Sequence, residues 1–170
     1  MPVEPAVKRA IAFVDGQNLF HNSRNVFGYT YPNYDVQKLA MMGRRGVVVF
    51  SRPLVYRNKT VQVPGFGTHT FLTDEEKGID VRLALDALDA AHRRQFDVAL
   101  IFSQNQDLSE LGSLMRQVAG FQSRWIKIAS AFPDSPSAPN RRGINGTDWC
   151  PIDKSTYDGC IDPRDYRPRP

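Results

Sequence analysis

The feature that most constrains this chain is a repeated pairing of a short apolar run with a stretch of helical periodicity. RAIAFVD (9–15) is followed by LFHNSRNVF, DVALIFS (97–103) by LSELGSLMRQVAG (108–120), and RWIKIAS (124–130) is a further apolar run. Runs this short and this apolar read as buried strands. Strands alternating with helices imply a parallel sheet with helices on both faces. The expected fold is therefore α/β, a three-layer α/β/α sandwich around a mainly parallel sheet.

The remaining segments fit between these. DVQKLAMMG (35–43) reads as a helix with Asp35 as N-cap and Gly43 as C-cap. GVVVFSRPLVY (46–56) predicts a second strand, and TVQVPGFGTHTFLT (60–73) an irregular hairpin around Pro64, Gly65 and Gly67. GIDVRLALDALDAAHRR (78–94) is the clearest helix. FPDSPSAPNRRGINGT (132–147) is a long loop, DWCPI a last short strand and KSTYDGC a short final helix. GQN (16–18) reads as a turn after the first strand. With 170 residues, 41% of them hydrophobic, the chain is long enough for one domain with a real core and too short for two domains of usual size. The expected organisation is an extension over 1–8, a domain over 9–160 and a basic, proline-rich tail over 161–170.

No stretch approaches the ~20 apolar residues of a membrane span, and the N-terminus lacks the pattern of a signal peptide. A cytoplasmic protein with no membrane partner is the simplest expectation. Cys150 and Cys160 show neither CxxC spacing nor a histidine cluster, so they read as buried thiols and not as zinc ligands. A net charge of +4 and a pI near 9.2 permit a nucleic-acid partner without requiring one. Arginines come in pairs at Arg44-Arg45, Arg93-Arg94 and Arg141-Arg142.

In open parallel sheets, ligands bind beyond the carboxyl ends of the strands. That rule selects Asp15 after the first run, and Ser103, Asn105 and Asp107 after DVALIFS. On helix 78–94, Arg82, Asp86, Asp89 and Arg93 fall on one stripe, whereas Asp80 lies in the middle of the apolar face. An inward carboxylate needs a partner. It is either held by backbone N–H groups at the helix N-terminus or part of a site. Asp86 has Arg82 one turn before it and reads as a surface pair. If Asp15, Asp80 and Asp107 converge, they need a counter-charge, and oxygen ligands of this kind select Mg²⁺ or Mn²⁺. Phosphodiester hydrolysis is the chemistry such a site suits. No Cys–His or Ser–His arrangement, Walker motif or GxGxxG competes, and VDGQN has one Asp where a haloacid-dehalogenase phosphatase needs DxDx[TV].

FVDGQNLF, EKGIDVRLALDAL and DVALIFSQNQDLSEL, in this order, resemble the NYN domain family, of the PIN-like superfamily of metal-dependent ribonucleases. RWIKIASAFP and NRRGINGTDWCPIDKSTYDGCIDPRDY resemble the C-terminal part of one bacterial branch, so the likeness spans roughly residues 9 to 166. It implies a Rossmann-like sandwich with an acidic pocket for Mg²⁺ or Mn²⁺. It implies Asp15 as first metal ligand, Asn18 as its orienting residue or a phosphate contact, and Asp80 as second acidic member. Ser103 and Asp107 match the segment after the third strand, and Asp148 falls where such domains often place another acid. The family pattern Ser-x-Asp-x-Asp is here Ser-x-Asn-x-Asp. Asn105 can ligate through its carbonyl, but more weakly than a carboxylate. It is an engineered inactivating change, a natural residue the enzyme tolerates, or the mark of a binding protein without catalysis.

The expected substrate is RNA, single-stranded or structured. Arg44, Arg45, Arg57 and Lys59 lie near the second strand, and Arg141 and Arg142 are expected to clamp the backbone of a single strand. Tyr56, Phe66 and Phe71 are candidates for base stacking. Three readings stand: a metal-dependent endoribonuclease, a catalytically silent RNA-binding module, and a structure-specific DNA nuclease or other Mg²⁺-dependent phosphohydrolase. The sequence is also compatible with a homodimer.

Overall fold

Apolar runs bounded by helices set up the layers. A computed structural model describes residues 2–40, 56–63, 67–74 and 78–164. Its contacts divide the chain into Met1–Val47 with Asp80–Pro170, and Val48–Ile79. In chain order the elements are β1 (Ala10–Val14), α1 (Gly16–Phe27), α2 (Val36–Ala40), β2 (Tyr56–Val63), β3 (Gly67–Asp74), α3 (Ile79–His92) and β4 (Val98–Phe102). They continue with a 3-10 turn at Gln106–Leu108, then α4 (Ser109–Phe121), β5 (Lys127–Pro133), β6 (Asp148–Ile152) and α5 (Lys154–Asp158).

In the larger unit, β1, β4, β5 and β6 form one sheet in that order, and each neighbouring pair is parallel. Because successive side chains point to opposite faces, the sheet supplies two cores. Ile11, Phe13, Ala99, Ile101 and Ile128 pack with Leu83, Ala87, Leu111 and Met115 of α3 and α4. Ala12, Val14, Leu100, Phe102 and Ala131 pack with Leu19, Leu39 and Tyr157 of α1, α2 and α5. The α/β/α sandwich follows. In the smaller unit, β2 and β3 make an antiparallel hairpin closing at Val63 and Gly67.

Some local expectations change. GQN is not a turn but the first turn of α1, because the Asp15 carboxylate accepts the Asn18 N–H and caps the helix there. Gly28, at φ 73°, then ends α1 in the left-handed region. The fourth apolar run starts and ends later than expected, reaching Pro133. Cys160 is buried, but Cys150 is exposed, since β6 is an outer strand of the four. The expected strand over 46–56 lies outside the described residues except for Tyr56, which opens β2; Gly43 and the tail beyond Arg164 also lie outside them. Among the described residues, no helix is long and apolar enough to cross a membrane.

Candidate functional site

Strands β1 and β4 are in register, Val14 opposite Phe102, so the residues after them become neighbours. The Asp15 N–H donates to the Phe102 carbonyl at 3.2 Å, continuing the ladder by one residue. Ser103 Oγ donates to Asp15 Oδ2 at 3.0 Å, while Asp15 Oδ1 accepts the Asn18 N–H at 3.0 Å. Asp15 is thereby fixed with both oxygens engaged, 3% exposed.

The network continues beyond Ser103. Its Oγ accepts the Asn105 N–H at 3.0 Å. Asn105 Nδ2 donates to Asp80 Oδ2 at 2.8 Å, and Asn105 Oδ1 accepts the Asp107 N–H at 3.0 Å. Asp80 reaches this point because Leu83, Ala87, Ala90 and Ala91 of the same helix face are buried against the sheet. Asn18 ties the two strand ends together, its Oδ1 accepting the Gln104 N–H at 2.9 Å and Asn22 Nδ2 at 2.7 Å. Asn18 thus orients Asp15 through its backbone N–H and spends its side-chain oxygen on the β4 end.

Burial first, then the negative charges of Asp15 and Asp107, push the Asp80 carboxyl above its ordinary value. The N–H from Asn105 pulls it part of the way back. Asp86 stands apart, paired with Arg82 at 2.8 Å on the outer stripe of α3.

Other expected members are placed elsewhere. Asp148 is not brought to the rim: it opens β6 opposite Ala129, short of the carboxyl end, and pairs with Lys127 at 2.8 Å. Its expected role as a metal ligand is corrected accordingly. Arg141 makes a two-pronged bond to Asp134 at 2.7 and 2.8 Å, and that guanidinium holds the Asp134 carboxyl below its ordinary value. The carbonyl of Asn105, expected to face a cation, instead caps the 3-10 turn, and its amide N–H meets Asp80. Arg44, Arg45 and the side chains of Tyr56, Arg57, Lys59, Phe66 and Phe71 lie outside what is described.

Two glutamines did not stand out in the sequence. In SQNQD, Ser103, Asn105 and Asp107 serve the rim, and the residues between them hold the loop before β6. Gln104 Nε2 donates to the Arg142 carbonyl at 2.8 Å. Gln106 Nε2 donates to the Gly143 carbonyl at 3.1 Å, and Gln106 Oε1 accepts the Asn145 N–H at 3.1 Å. The run of three amides between a hydroxyl and a carboxylate in SQNQD was the available signal. The loop also presses on α4: a Cβ on Gly112 would stand 2.5 Å from the Gly146 carbonyl oxygen.

The donor chemistry at the rim, carboxylate oxygens repelling one another, fits a hard divalent cation. Asp15, Asp80 and Asp107 are the carboxylates that would have to draw together to hold it. Asn105 is the residue that does not fit, because it offers Asp80 a donor and not an oxygen. Among the described residues, no three Asp, Glu, His or Cys side chains stand close enough to share one ion.

The profile of the NYN domain family matches residues 9–138, more than half of the chain. No curated protein sequence matches the chain. Among solved structures, the fold is similar to a protein of unknown function, VPA0982, from Vibrio parahaemolyticus. The two superpose with a TM-score of 0.51 at 17% identity, over 89% of this chain and 98% of the other. That likeness concerns the fold alone.

Proposed function

The chain belongs to the NYN domain family, which is nuclease-like, and from that premise we propose that it is a metal-dependent endoribonuclease with Asn105 lowering its activity. The observation that supports this reading is the hydrogen-bond chain through Ser103 and Asn105 that links Asp15 to Asp80, far apart in sequence, beyond the carboxyl ends of β1 and β4, with the Asp107 N–H bound to the same Asn105.

The residues divide the work. Asp15, held by Ser103 and the Asn18 N–H, is the rigid ligand for Mg²⁺ or Mn²⁺. Asp107 adds charge at the solvent side, being exposed. Asp80, tied to the same rim through Asn105, is the second acidic ligand. A divalent cation, when bound, supplies charge neutralisation at the phosphate and a more acidic water. Asn105 opposes ligation by occupying an Asp80 oxygen with its N–H. Asn105→Asp removes that donor and adds a carboxylate beside Asp80, raising the demand for a cation.

The test is cleavage of labelled single-stranded RNA and its DNA counterpart with Mn²⁺ or with EDTA. We expect Asn105→Asp to cut RNA faster than the unmodified chain, and EDTA or an added Asp15→Asn to abolish the cut. Equal rates for both residues at position 105, at equal metal occupancy, would show that Asn105 does not impair the site. A second reading, a silent RNA-binding module, draws support from the Asn105–Asp80 bond. RNA binding without cleavage even by Asn105→Asp would favour it. Preferential cutting of DNA would move the substrate.

A further inference from the structure

Where the loop 140–147 meets β6, an indole and a guanidinium are held together. Trp149 is 46% exposed, yet it is anchored. Its Nε1 donates to the Ile144 carbonyl at 3.1 Å. The loop lies against it because residue 143 is glycine: a Cβ there would come 2.7 Å from Trp149 Cδ1 and would collide with Ser130 Oγ. Ser130 Oγ in turn accepts the Ile144 N–H and the Thr147 hydroxyl, both at 3.0 Å. Arg142 places its guanidinium carbon 6.0 Å from the Trp149 ring centroid, with Nη2 3.4 Å from Asn145 Oδ1.

We propose that Trp149 and Arg142 form a stacking platform for a base of single-stranded RNA bound across the acidic rim. This rests on the ribonuclease reading. A single exposed aromatic is ordinary on a protein surface. What separates this one is its fixed edge, its adjoining cation and its tether to the site. The Arg142 and Gly143 carbonyls accept from Gln104 and Gln106, which interleave with Ser103 and Asn105 of the rim. Platform and carboxylates are thus held by the same short segment. A pre-positioned indole gives an unstacked base a flat apolar partner without new ordering of the protein. The neighbouring guanidinium suits the phosphate beside that base. Paired bases in a duplex do not offer their faces, so the chemistry favours a single strand, and it favours no particular base. Arg141, by contrast, is engaged by Asp134 and is not part of the platform.

The test measures binding in EDTA, so that no strand is cut, using the full chain and a short labelled oligouridylate. Comparison ligands are the same oligomer with abasic sites and its DNA counterpart. Trp149→Ala is expected to weaken oligouridylate binding by about tenfold. Trp149→Phe should recover most of it, and all three proteins should bind the abasic oligomer alike. The chain has two tryptophans, so a Trp125→Phe protein reports on Trp149 alone, and its fluorescence should be quenched by RNA. Undiminished oligouridylate binding by Trp149→Ala, an equal loss for the abasic oligomer, or no binding by the unmodified chain would each overturn the platform. If the platform fails while Mn²⁺-dependent RNA cleavage persists, the ribonuclease reading stands without it. If Trp149-dependent stacking is found and no form cuts RNA, the platform stands and that reading falls.

Discussion

The two ends of the central sheet both bury an aspartate, and they treat it in opposite ways. At the amino end, Asp97, 8% exposed, accepts the Arg9 backbone N–H at 2.9 Å and its Nε and Nη2 at 3.2 Å. The side-chain bonds of Arg9 hold the Asp97 carboxyl below its ordinary value. At the carboxyl end, the partners of Asp15 and Asp80 among the described residues are neutral: a hydroxyl, a backbone N–H and an amide. There, among the described residues, burial and the charges of Asp15 and Asp107 push Asp80 up. Burial alone therefore does not mark a functional carboxylate. What meets it does: a cation closes an ion pair that staples strand to strand, whereas like charge leaves a demand for an external cation.

The comparison is most sharply broken through activity. In an Asn105→Asp chain, Asp80→Asn is expected to lower Mn²⁺-dependent RNA cleavage on the order of a hundredfold. Asp97→Asn should leave it within about twofold well below the melting temperature. Similar losses for both variants would mean that the two ends do not differ in role.

Stability should rank them the other way round. Asp97→Ala is expected to lower the unfolding free energy by about 1–3 kcal/mol in urea titrations, since Arg9 loses its partner and two strands lose their tie. Asp80→Asn should raise stability at neutral pH without added metal, because it removes a carboxylate that repels Asp15 and Asp107.

The smallest effect, and the most diagnostic of sign, is in pH dependence. The Asp97 carboxyl is depressed on folding, so its contribution is present above the ordinary carboxylate value and fades as the pH falls through its lowered one. The Asp80 carboxyl is raised, so its contribution is greatest below the ordinary value and declines as the pH rises through the raised one. Urea midpoints between about pH 3 and about pH 7 should therefore show Asp97→Asn flattening the acid-side loss. Asp80→Asn should relieve a loss on the higher-pH side. Shifts of the same sign in both variants would contradict the electrostatic contrast.

Much of this was readable from residue order. Unbroken apolar runs require cover on both faces, which dictated the parallel sheet and hence the rim where Asp15 and Ser103 meet. Helical periodicity placed Asp80 on the buried face of α3 and Asp86 outside it, and both positions follow from local geometry. Other features depend on partners distant in the chain. Nothing local separates Asp148, answered by Lys127 across a strand pair, from an acid that ends a strand at the rim. Cys150 is exposed for the same kind of reason, because an outer strand and an inner one look alike until the strand order is known.

The order of amino acids thus determined the layers, the faces of the helices and the set of carboxylates from which a site could be built, since these follow from periods of two and 3.6 residues. Three-dimensional packing decided how each polar atom is used. It turned the Asn105 amide toward Asp80 and its carbonyl toward Asp107, and it set Gln104 and Gln106 to hold the loop that presents Trp149 and Arg142. The physical reason is that a hydrogen bond or ion pair is chosen by which donors and acceptors arrive within about 3 Å of one another. Across separations such as the 88 residues between Asp15 and Ser103, only the folded chain makes that choice.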